Sequence, residues 1–110
     1  IRKPETKLKC IPIKKHMVWC NDVKSKKNYN KLINIRQKIR YEKMYRFDEK
    51  YNLLIPIKYN FLKPKPGKGS AIFLHITKNF KPTAGCIALK ESDFLILLKL
   101  INKKTKIKIK

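Results

Sequence analysis

Residues 67–101 read GKGSAIFLHITKNFKPTAGCIALKESDFLILLKLI, and this stretch decides most of the fold. Within it, SAIFLHI (70–76) reads as a buried strand. Strand alternation sets Ala71, Phe73 and His75 on one face and Ile72, Leu74 and Ile76 on the other. A loop follows over 77–83, with Pro82 near its end. Gly85 and Cys86 make a tight turn into a short apolar strand at 86–89. Residues 91–102 form the best helix of the chain, because Phe94, Leu97, Leu98 and Ile101 recur at i, i+3, i+4 and i+7. Glu91 and Asp93 in its first turn, with Lys99, Lys103 and Lys104 near its end, suit the helix dipole. Leu95, Ile96 and Leu100 widen the apolar stripe, which predicts a deeply packed helix.

Working outward, YNLLIPIKYNF (51–61) is apolar and β-prone, and Pro56 confines it to a sheet edge or a bulge. KPKPGKGS (63–70) is a loop that ends any regular element. Residues 1–16 are basic and broken by Pro4 and Pro12, so they read as an extended, poorly ordered lead-in to a domain over 17–110. Trp19, within 17–20, is the first core anchor. Residues 21–30 are polar and turn-rich, and 32–39 fit either a strand or a helical turn. A short helix is expected around Met44, over 40–47. The tail TKIKIK (105–110) alternates like an edge strand with Ile107 and Ile109 inward. The fold class predicted is mainly β with one helix near the C-terminus.

The chain has 110 residues, the size of one small domain. Lys+Arg number 29 against 7 Asp+Glu, a net charge of +22, which raises nucleic acid as a partner. Lys supplies 25 of the 29, however, while Arg is the residue suited to bidentate base and phosphate contacts. Ile, Asn and Lys, all with AT-rich codons, together make 48 of 110 residues. The charges also run from Lys3 to Lys110 without a block. A solvated basic surface therefore explains the composition better than a nucleic-acid face, and no nucleic acid is expected as partner. The 43% hydrophobic content excludes a disordered basic tail. No apolar run approaches the ~18 residues needed to cross a bilayer. No signal-peptide h-region is present, and a chain opening on Ile1 reads as a fragment or processed product, upstream of which an export signal could have stood.

Cys10, Cys20 and Cys86 leave at least one cysteine unbridged. Cys10 and Cys20 could pair in an oxidising compartment, though buried thiols are the commoner state. Neither CxxC spacing nor His spacing indicates a metal site. The chemistry concentrates instead on His75 and Cys86, eleven residues apart. A thiol with a pKa near ~8.5 is mostly protonated at neutral pH and needs a neighbouring base. An imidazole on an adjacent strand supplies one. Gly85 permits the sharp turn that leaves Cys86 presented and its N–H available to an oxyanion. On residue types alone, His75 as a satisfied core histidine stays open.

The stretch 67–101, and PTAGC at 82–86 in particular, resembles the catalytic core of the YkuD-like L,D-transpeptidases, in a branch with a shorter loop. His75, Thr83, Gly85, Cys86 and Ile87 stand in the family's order, and VWCNDVKSKKNYN (18–30) resembles a Trp…Tyr-Asn segment found in that branch. The resemblance implies a catalytic-domain β-sandwich and a cysteine acyltransferase acting on peptidoglycan stem peptides in the bacterial periplasm or cell envelope. It implies Cys86 as nucleophile, His75 as general base and acid, and the backbone of Gly85 and Cys86 as oxyanion hole. The carbonyl of Ile76 or Thr77 would orient His75. No metal or organic cofactor is implied. The acceptor is an amine, giving a 3→3 cross-link, or water. Ala84 and Ala88 depart from family positions often held by His or Arg and by Arg. The family's N-terminal strands have no counterpart, so the chain reads as the last two-thirds of the domain. An inactive truncated homologue and a basic nucleic-acid-binding module are the alternatives.

Overall fold

The structure is a computed structural model that describes residues 3–35, 38–77 and 86–108. Among them are six strands and one helix: β1 (Met17–Cys20), β2 (Lys31–Asn34), β3 (Tyr41–Lys43), β4 (Leu54–Pro56), β5 (Phe73–Ile76), β6 (Ile87–Leu89) and α1 (Glu91–Leu100). They make two three-stranded sheets, ordered β2-β1-β3 and β4-β5-β6. The first is antiparallel, with Trp19 opposite Leu32 on one side and Glu42 on the other. In the second, β5 runs antiparallel to β4 and parallel to β6. Pro56 sits on β4, an edge strand, where a missing N–H costs no ladder bond.

Every residue of β5 is buried, as an apolar run with two covered faces requires. Its alternation feeds two cores. Leu74 and Ile76 join Phe94 and Leu98 of α1, with Ile55, Ile87 and Leu89 packed around them. On the other face, Phe73 joins Trp19, Met44 and Tyr51, with Leu54, Ala71 and Cys86 against them. The second sheet thus lies between α1 and an aromatic core shared with the first sheet. Phe73 meets Trp19 and Tyr51 edge-on, at centroid distances of 5.0 and 5.6 Å. Burying such a ring stabilises the fold by about 2–3 kcal/mol.

The lead-in has no regular element but is tied down. Thr6 Oγ1 donates to the Leu98 carbonyl at 2.7 Å, Leu8 packs against the helix core, and Ile13 packs against the aromatic core.

Three expectations are corrected. The short helix over 40–47 is instead β3, followed by Met44. The Met44 N–H donates to the Met17 carbonyl at 3.3 Å, and pairing with β1 overrides the local helical preference. The 105–110 tail forms no strand over its described residues, 105–108. Ile107 is 46% exposed, and it pairs with no strand among the described residues. The helix packs less deeply than its stripe suggests. Phe94 and Leu98 are buried, but Ile96 and Leu100 are 58% and 76% exposed, because a three-stranded sheet covers only one narrow face. The expected loop at 77–83 lies, beyond Thr77, outside the described residues.

Candidate active site

His75 is 2% exposed in the middle strand of the second sheet. Its Nδ1 lies 2.9 Å from the carbonyl oxygen of Ile76. A carbonyl can only accept, so Nδ1 is the donor here, and in the neutral ring the lone pair falls on Nε2. Nε2 is buried and has no hydrogen-bond partner among the described residues. Buried polar atoms are nearly always paired in folded proteins, so an unpaired ring nitrogen inside a core requires an explanation.

Cys86 immediately precedes β6, where His75 pairs with Ala88. Cys86 is two residues from Ala88 and so shares its face of the sheet, the face of His75. Two residues along one strand and one strand across put the two Cα atoms on the order of 8 Å apart. That separation is within reach of an imidazole and a thiol leaning together. Cys86 is half-buried against the aromatic core, and its thiol donates to the Ala71 carbonyl at 3.4 Å. Cys10 and Cys20 also carry thiols and form no disulfide with each other. Gly85 lies outside the described residues.

Two residues that spacing did not single out build this corner. Asn30 is 2% exposed at φ 59°, a left-handed conformation that Asn tolerates. Its Oδ1 accepts from Trp19 Nε1 at 2.9 Å and from the Ala71 N–H at 3.0 Å. Its Nδ2 donates to the carbonyls of Tyr59 and Asn60 at 2.9 and 2.6 Å. Ala71, itself at φ 54°, is thereby held where its carbonyl meets the Cys86 thiol. The sequence carried one hint: a buried indole N–H needs an acceptor, and Asn is the polar residue most at home at positive φ.

The second residue is Tyr51, just before β4. Its ring stands 5.8 Å from the His75 ring at 61°, and its hydroxyl donates to Glu42 Oε1 at 2.8 Å. Burial, and then the bond to Glu42, push this hydroxyl far above the ordinary range for a phenol. On its other side Tyr51 helps line a cavity of ≈ 630 Å³ together with Trp19, Leu54, Arg46, Lys9 and Ile13. Neither His75 nor Cys86 lines that cavity; Tyr51 contacts both it and the imidazole.

Among the described residues, no group of three or more His, Cys, Asp or Glu side chains could hold a metal ion, and no helix is long and apolar enough to cross a membrane.

No curated protein and no solved structure matches the chain. The profile of the YkuD family, the L,D-transpeptidase catalytic domain, matches residues 9–109 and so spans both sheets, the helix, His75 and Cys86. With nearly the whole chain matched, the protein belongs to the YkuD family of L,D-transpeptidase catalytic domains.

Proposed function

We propose that the chain acts as a cysteine-dependent L,D-transpeptidase on peptidoglycan stem tetrapeptides, with Cys86 as nucleophile and His75 as base. The observation that carries the reading is the buried, unpartnered Nε2 of His75, on the sheet face that Cys86 shares. Nε2 takes the thiol proton as the sulfur leaves its bond to Ala71. The thiolate attacks the carbonyl of the third stem residue. The backbone N–H groups of Gly85 and Cys86 receive the oxyanion in this reading, as in the family resemblance. His75 returns its proton to the departing D-alanine amine, which leaves a thioester on Cys86. An acceptor amine from a second stem then attacks, His75 takes its proton, and a 3→3 cross-link results. Water in place of the amine gives a carboxypeptidase outcome.

The Ile76 carbonyl orients the imidazole and fixes its tautomer in this scheme. The cell envelope is the compartment that holds such a substrate. A carbapenem tests the assignment, since its lactam carbonyl acylates thiolates of this kind. Intact-mass analysis is expected to show one adduct, mapped to the peptide carrying Cys86 and absent in Cys86→Ala. A folded protein in which Cys86 stays unmodified overturns the reading.

A further inference from the structure

We infer that Tyr51, clamped by Glu42, is a positioning residue that holds the His75 imidazole in the plane from which Nε2 faces Cys86. The inference rests on the Cys86–His75 reading above. His75 has a single polar tether, from Nδ1 to the Ile76 carbonyl at 2.9 Å. One hydrogen bond fixes a point on the ring and leaves the plane soft, because the imidazole χ2 torsion is broad. The remaining restraint comes from packing, and the aromatic neighbour is Tyr51, at 5.8 Å and 61°.

Tyr51 can restrain another ring because it is itself held from several directions. Its hydroxyl is bonded to Glu42, and its edge meets Phe73 at 5.6 Å and 89°. The Arg46 guanidinium and the Lys50 ammonium lie over its ring at 5.1 and 5.7 Å. Arg46 is in turn bonded to Asp48. Glu42 belongs to β3 of the first sheet and His75 to β5 of the second. The contact series Glu42, Tyr51, His75 therefore carries the rigidity of one sheet into the reactive corner of the other. Burial and the Glu42 carboxylate both raise the hydroxyl's pKa, so it keeps the proton it donates to Glu42. Tyr51 acts through His75 and is not itself a reacting group.

The test is a double-mutant cycle read on the rate of Cys86 alkylation by iodoacetamide at neutral pH. Each cysteine is resolved by peptide mass, since Cys10 and Cys20 also carry thiols. Tyr51→Leu is expected to slow Cys86 alkylation about tenfold in the wild-type background and to have no further effect in a His75→Asn background. Glu42→Gln, which keeps an acceptor but weakens the clamp, is expected to slow it about threefold. Equal slowing by Tyr51→Leu in both backgrounds would mean a merely structural role, and no slowing in either would mean none; each overturns the inference. A His75→Asn rate equal to wild type defeats the underlying Cys86–His75 reading instead, so the two failures are separable. If Tyr51→Leu does not fold, Tyr51→Phe takes its place. It keeps the ring and loses the Glu42 bond, and it is expected to slow alkylation about threefold only where His75 is present. A Tyr51→Phe rate equal to wild type overturns the proposal.

Discussion

Replacing Asn30 by Ala probes the corner around Cys86 without altering the Cys86 or His75 side chain. The substitution strips partners from four groups: Trp19 Nε1, the Ala71 N–H, and the carbonyls of Tyr59 and Asn60. The bond to Trp19 is fully buried, and an orphaned buried donor costs about 1–3 kcal/mol. The other three are part-buried, so water partly replaces the lost bonds and each costs less. Alanine at φ 59° adds about 1 kcal/mol, because its Cβ crowds the backbone where Asn gains local hydrogen bonds. The sum is about 3–5 kcal/mol. In a domain near this size 1 kcal/mol moves Tm by about 4–8 °C, so the variant should melt at least ~12 °C lower. Thermal unfolding followed by near-UV circular dichroism reads both Tm and the packing of Trp19. Asn34→Ala, at an exposed position of β2, is the control and should shift Tm by less than ~4 °C. An Asn30→Ala midpoint equal to that control would refute the idea that one buried amide holds the first sheet, the 59–60 turn and Ala71 together.

Three further outcomes follow from the same geometry. Phe73→Ala, at a side chain with no exposure, should cost about 3–5 kcal/mol and lower the urea midpoint without changing the spectrum of the unfolded chain. Ile107→Lys should leave stability within about 0.5 kcal/mol, since that residue is 46% exposed and belongs to no strand; a larger loss in a urea titration would restore the edge-strand reading of the tail. The Arg46 hydrogen bond holds the Asp48 carboxyl at about 2, below its ordinary 3.8. A depressed native value means the pair's contribution is present above pH 3.8 and fades as pH falls toward 2. Asp48→Asn should flatten the stability–pH curve across that window, by a small amount at so exposed a pair, and an unchanged curve would contradict the assignment.

The elements legible in the sequence are those whose pattern is local. Residues 70–76 show apolar side chains on both faces, and β5 is buried throughout. The i, i+3, i+4 recurrence of Phe94, Leu97 and Leu98 marks α1, and the two that anchor it are Phe94 and Leu98. Alternation also places Phe73 with His75, the face on which Cys86 packs. What escaped depends on distant partners. The three residues of β3 carry no strand signature, and their pairing is set by β1 and by the bond from Glu42 to Tyr51. The exposed Ile96 and Leu100 could not be told from core, because stripe width does not reveal how wide the covering sheet is. Asn30 reads locally as one more turn residue, and its burial is decided by groups 11 to 41 positions away. Tyr51 reads as packing, and only the meeting of two sheets sets its ring against His75.

In the proposed mechanism the Cys86 sulfur takes an acyl group from a peptide with help from His75. The direct measurement is rapid acid quench of the protein with a stem tetrapeptide, followed by peptide mass mapping. The expected result is a thioester of the tripeptide on the fragment bearing Cys86, with one D-alanine released per thioester and far less of both in His75→Asn. D-alanine release without any adduct on Cys86, or an adduct formed equally fast in His75→Asn, would contradict it.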